Sequence, residues 1–199
     1  MCSSDLMLVL AGAGSGKTRV ITHRIAHLVS TLRVPAMSVL AVTFTNKAAG
    51  EMRDRVVSLL QKAGGSAGYA PTVSTFHSFC VRLLRREGTP LAQIRPSFTT
   101  NFTVYDADDQ LAVVKAVYKA IGLDDKFMQH RAALSRISHA KSQKQSPEDI
   151  ARAATDPTAT RFATVYERYE ARLRDSNALD FDDLLLRSEE HTSELQSHV

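Results

Sequence analysis

Cysteine is scarce: Cys2 and Cys80 are the only two, and neither sits in a CxxC or Cys/His spacing. That scarcity argues against a disulfide framework and a zinc site, and suits a reducing, cytoplasmic setting. No apolar run approaches the roughly 20 residues that span a bilayer, so no membrane partner is expected. The opening "MCSSDLMLVLAGAG" lacks the basic flank of a signal peptide. Internal repeats and low-complexity tracts are missing as well. What is present is a globular composition over 199 residues, 44% hydrophobic, with a formal charge of +4 and a pI near 9.2. The basic balance leans towards polyanionic partners without deciding among them.

"MLVLAGAG" reads as a strand ending in glycines, followed by a helix on which Val20, Ile21, Ile25, Leu28 and Val29 recur at helical spacing. "SVLAVTF" (38–44) reads as a second buried strand. "NKAAGEMRDRVVSLLQK" reads as a helix with Ala48, Met52, Val56 and Leu59 on one face. "AGGSAGYAP" (63–71) is a loop, "TVSTF" a third strand, and "HSFCVRLLRRE" a helix with a basic outer face. This βαβα order implies a parallel sheet. From about Pro90 the character changes: "FTVYD" reads as a short edge segment, and the rest as helices over 107–121, 127–142, one from Ser146, and 159–176. Ser146 as N-cap, Pro147 at the first helical position and Glu148 with Asp149 in the first turn mark the third of these. This half is expected to be all-helical.

The sharpest motif is "AGAGSGKT": Ala11, Gly12, Ala13, Gly14, Ser15, Gly16, Lys17 and Thr18. Phosphates need successive backbone N–H groups, which glycines let the chain point inwards, and a helix N-terminus behind them. A lysine serves the β- and γ-phosphates, and a hydroxyl serves Mg²⁺. All are supplied between a predicted strand and a predicted helix. Ala11 stands where the strict pattern has glycine. The loop specifies a nucleotide and leaves the function open.

"TFTNKAAGEM" (43–52) and "STFHSF" (74–79) follow the second and third strands, at the edge where ligands bind in open parallel sheets. They offer Phe44 for stacking, Thr45, Asn46, Thr75, His77 and Ser78 for polar contacts, and Lys47 for a phosphate. By general burial tendency alone, Phe44 belongs in the core and His77 is structural.

Taken in order, "LAGAGSGKTRV", "AVTFTNKAAGEM", "STFHSFCVRLLRRE", "FTVYDADDQ" and "YERYEARLRDSNALDFDDLLL" resemble the superfamily 1 DNA helicases of the UvrD, PcrA and Rep type, almost continuously over residues 7–186. The resemblance implies an incomplete RecA-like α/β motor domain, 1A, over 7–89, and a mostly helical inserted subdomain, 1B, over 90–186. It also implies ATP and Mg²⁺ as cofactors, single-stranded and duplex DNA as partners, and 3′ to 5′ translocation. By motif, Lys17 would hold the β- and γ-phosphates, Thr18 the Mg²⁺, and Arg19 would lie near the nucleotide. Phe44, Thr45, Asn46, Thr75 and His77 become DNA contacts. The rivals are a helicase-nuclease subunit of the RecB or AddA type, and a non-catalytic nucleotide or single-strand-binding module.

The family's adenine-reading glutamine segment, its Asp-Glu pair and its second motor domain have no counterpart here. The acidic cluster Asp180, Asp182 and Asp183 is read as a helix start favoured by the dipole. The expectation is that this chain alone does not turn over ATP, because such groups account for several powers of ten in phosphoryl transfer. Steady hydrolysis stimulated by single-stranded DNA would refute it. "RSEEHTSELQS" (187–197) resembles the translation of a common short-read sequencing adapter, and "CSSDL" (2–6) that of its reverse complement. Residues 1–6 and 187–199 are therefore expected to be foreign flanks around a gene fragment more basic than the whole chain. Sequencing the source locus should show a different continuation after Leu186; a genomic read running through the acidic tail to Val199 would contradict this.

Overall fold

The computed structural model describes residues 10, 12, 14–64, 70–124 and 126–197, with the backbone alone for Ile94 and 190–197. It is a mixed α/β structure, mostly helical, with two small parallel sheets. Two compact units divide it, Met1–Phe76 and His77–Val199.

The first unit holds α1 (Lys17–Ser30), β1 (Leu40–Thr43), α2 (Asn46–Lys62) and β2 (Thr72–Thr75). The strands pair in parallel, Leu40 opposite Thr72 and Thr43 opposite Thr75. Such a pair needs a crossover, and α2 supplies it. The Thr45 side chain caps α2 by accepting the Ala48 N–H at 3.2 Å, which satisfies one of the unpaired amides at the helix start. Met52, Val56 and Leu60 are buried against Ile25 and Ala26 of α1 and Ala41 and Val73 of the strands, and Ala49 is buried on the same helix. The expected face is thus shifted by one residue at each end, Leu59 being half-buried beside it. On α1 the burial is narrower than its spacing suggests: Ile25 is buried, whereas Val20 and Ile21 are 50% and 45% exposed. Of the strand expected before the loop, Met7, Leu8 and Val9 lie outside the described residues, as do 65–69 of the loop expected at 63–71.

α3 (Phe76–Glu87) leads into the second unit, followed by α4 (Leu91–Ile94), β3 (Thr103–Val104), α5 (Ala107–Ile121), α6 (His130–Ser142), α7 (Pro147–Ala153), α8 (Pro157–Asp175), β4 (Ala178–Leu179) and α9 (Phe181–Ser197). The half expected to be all-helical carries a parallel pair: Thr103 lies opposite Ala178, and Val104 opposite Leu179. Two residues are too few to show strand alternation, which is why "FTVYD" suggested only an edge and "NAL" nothing. Asn177, at φ 44°, ties the pair to Thr99 through Nδ2 to Oγ1 at 2.6 Å and Oδ1 to the Thr99 N–H at 3.0 Å. Capping set the helix limits that periodicity left vague. Asp156 caps α8 ahead of Pro157, two residues before the expected start. The Ser146 capping box opens α7 as expected. α6 begins at His130 rather than 127.

One core joins Val114, Val117 and Tyr118 of α5, Ala133 and Ile137 of α6, and Phe162, Tyr169 and Leu173 of α8. Another joins Cys80 and Leu84 of α3 to Leu91, Phe98, Phe102, Leu179 and Leu184. α3 ends where the Gly88 N–H donates to Leu84 O at 3.0 Å. A Cβ at Gly88 would stand 2.2 Å from that oxygen, so the backbone must move to admit one. Gly88→Ala should cost on the order of 1–3 kcal/mol, read as a lower urea midpoint; an unchanged midpoint would contradict this packing.

Candidate functional site

The loop before α1 owes its shape to two glycines. Gly14 and Gly16 take left-handed conformations, φ 73° and 84°, which side chains with a Cβ adopt only at a cost. Among the described residues, no neighbour lies within 4 Å of a Cβ built at Gly12 or Gly14, so it is the left-handed conformation that calls for glycine at position 14. Gly16 is also the N-cap of α1, leaving the first amides of that helix facing the loop. Three donors converge on Gly12 O: Lys17 Nζ at 2.6 Å, Ser15 Oγ at 2.6 Å and the Ser15 N–H at 3.4 Å. Lys17, Thr18 and Arg19 are exposed in the first turn of α1. Ala11 and Ala13 lie outside the described residues. The loop therefore combines a lysine ammonium, a hydroxyl and the positive end of a 14-residue helix, a set suited to phosphate oxygens.

At the carboxyl end of β1, Phe44 is 90% exposed, against the core position that burial tendency suggested. Its backbone is fixed on both sides, since Thr43 Oγ1 donates to Thr45 O at 3.0 Å and Thr45 caps α2. Thr45 and Asn46 are exposed, and Asn46 is the first residue of α2. Thr75, expected as a contact, is buried at the end of β2. The Phe44 and Phe76 rings meet with centroids 5.6 Å apart. In the second unit, half-buried His77 meets Phe181 edge-on at 5.5 Å.

Sequence reading missed a buried charge cluster in the second unit. Lys141 of α6 places Nζ 2.7 Å from Glu170 Oε1, 2.7 Å from Asp180 Oδ2 and 3.0 Å from Asp183 Oδ1. Tyr169 OH donates to Asp180 Oδ2 at 2.9 Å. Asp180 and Asp183 also cap α9 reciprocally, Oδ1 of Asp180 accepting the Asp183 N–H at 2.8 Å. The helix-start reading of that acidic run was thus correct for the backbone, but two of its carboxylates are also buried ligands of a lysine.

Burial opposes the charge on Lys141, yet Asp183, Glu170 and Asp180 together hold its pKa well above the ordinary lysine value. Burial raises Glu170 and Asp180 above the ordinary carboxylate range, with Lys141 pulling each back. Asp183 is also disfavoured by burial, but Lys141 and Arg187 outweigh this and lower it. The stability tied to Lys141 is fully present below its unfolded pKa and is lost only as pH climbs through the raised folded value. A signal was available in the sequence: Ala133, Ile137 and Lys141 recur every fourth residue, setting the lysine on the buried face.

Among the described residues, no group of three His, Cys, Asp or Glu side chains is placed to hold a metal ion, and no helix is long and apolar enough to cross a membrane. The family model for the UvrD/REP helicase N-terminal domain matches residues 1–199. The ATP-dependent DNA helicase PcrA of Staphylococcus aureus is 45% identical over 180 residues, covering 90% of this chain and 23% of the relative. PcrA of Staphylococcus epidermidis is 44% identical over 180 residues, covering 90% of this chain and 24% of the relative. The chain thus spans about a quarter of the length of these curated relatives.

Proposed function

This chain belongs to the UvrD/REP helicase N-terminal domain family, and from that premise we propose that it is the nucleotide-binding opening part of an ATP-dependent 3′ to 5′ DNA helicase with a RecA-like motor fold. The observation that carries this reading is the loop from Gly12 to Thr18, where two left-handed glycines deliver Lys17 and Thr18 to the start of α1. The residues fit the ligand: no described neighbour would meet a Cβ at Gly12 or Gly14, and the donors gathered on Gly12 O match phosphate oxygens in kind. Lys17 would hold the β- and γ-phosphates, Thr18 the Mg²⁺, and Arg19 would flank the nucleotide. The metal, when bound, would supply charge neutralisation on the phosphates. Moving Lys17 from a carbonyl to a charged oxygen exchanges a neutral acceptor for a stronger one.

DNA is assigned to Phe44, Thr45, Asn46 and His77, with Thr75 supporting from its buried position. Exposed Phe44 suits base stacking, and the start of α2 suits a phosphate. Residues 90–186 are assigned to the 1B subdomain and to DNA contact, and the exposed Arg82, Arg85 and Arg86 of α3, within the stretch assigned to 1A, add positive charge.

Ligand-linked stability tests the nucleotide reading. At a hundredfold excess over its Kd, Mg·ATP should raise the unfolding free energy by about 2.7 kcal/mol, seen as a higher thermal midpoint. No rise at any millimolar concentration would overturn it.

A further inference from the structure

We propose that Phe76 is a positioning residue for single-stranded DNA, a pedestal that sets the ring of Phe44 for base stacking; this rests on the assignment of DNA to Phe44. The pairing register dictates the juxtaposition. Thr43 and Thr75 are the last paired residues of the parallel strands, so Phe44 and Phe76 are the next residues after neighbouring strands and leave the sheet side by side. Their rings meet at 5.6 Å with planes inclined by 42°, within the range where aromatic pairs attract beyond simple burial.

The two rings are not equivalent. Phe44 is 90% exposed and Phe76 40%, so the first presents its surface and the second backs it. The Phe44 backbone is already anchored by the hydrogen bonds of Thr43 and Thr45. What those bonds leave free is the side-chain torsion, and Phe76 is the aromatic neighbour in contact with it. An unbacked surface phenylalanine would sample several rotamers, and a base would have to select one of them. With the pedestal in place, that selection is made in advance.

A double-mutant cycle on the 199-residue chain tests this, with a fluorescein-labelled oligothymidine for affinity and a 2-aminopurine-containing oligonucleotide for stacking. Phe44→Ala should weaken binding about tenfold and relieve 2-aminopurine quenching. Phe76→Leu, which keeps an apolar filler, should weaken binding several-fold and relieve quenching, and Phe76→Tyr should restore both. In Phe44→Ala/Phe76→Leu the second change should add nothing. Phe76→Leu binding and quenching as the parent, while Phe44→Ala weakens, would overturn the pedestal and leave stacking on Phe44 intact. A Phe44→Ala chain that binds as well as the parent would remove both the DNA assignment and the pedestal. Additive losses in the cycle would also reject the pedestal, since they would mean that Phe76 acts independently of Phe44.

Discussion

Replacing Lys141 by methionine should lower the stability of the second unit by about 3–5 kcal/mol at neutral pH, the cost typical of breaking a buried ion pair from one side. Methionine preserves most of the volume, so the loss reports charge and not a cavity. Three carboxylates, Glu170, Asp180 and Asp183, would remain buried without the ammonium that each contacts within 3.0 Å. Lys141 joins α6 to α8 and α9, so the break falls between elements that periodicity alone cannot register. Since a whole domain is stable by only about 5–15 kcal/mol, the variant should be largely unfolded by mild denaturant.

The pH dependence has a definite sign. Lys141 lowers the pKa of each of the three carboxyls, so its removal raises their folded values. A raised carboxyl contributes stability below its unfolded pKa and loses it as pH rises. Lys141→Met should therefore recover towards the parent as pH falls to about 5. A further Asp180→Asn should recover part of the loss at neutral pH, making the two changes non-additive. Urea unfolding of both variants reads this directly, and a Lys141→Met chain as stable as the parent would show that the cluster is not the joint described here.

The second large effect belongs to the phosphate loop. Lys17→Ala removes an ammonium that would make charge-assisted bonds to phosphate, each contributing about 1.5–3 kcal/mol. Two such bonds correspond to a loss of nucleotide affinity on the order of a hundredfold or more. Lys17 is exposed and donates to Gly12 O in its own loop. Binding should collapse while the fold of the first unit persists.

Local signals made much of this legible. The glycine pattern of residues 11–18 pointed to a phosphate loop because left-handed backbone restricts residue choice so strongly, and Gly14 and Gly16 adopt the left-handed backbone that this reading requires. α2 and α5 have the limits expected from their sequences, helped at α5 by the Asp106 capping box and by Gly122 at φ 68°. The β3–β4 pair was hidden because its four residues are brought together over a long stretch of chain. Lys141 and Glu170 were hidden for another reason. A charged residue on a helix is read as surface, and only its alignment with Ala133 and Ile137 betrays Lys141. Phe44 reversed the expectation from burial tendency, since its position just past β1 exposes it whatever its hydropathy.

The most direct test of the central reading is a fluorescence titration with N-methylanthraniloyl-ATP, at fixed magnesium and salt, of the 199-residue chain and its Lys17→Ala variant. Saturable binding by the parent, weakened on the order of a hundredfold in a variant with unchanged circular dichroism, is the predicted result. Equal binding by both chains, or none by a folded parent, would contradict the assignment of this loop to ATP.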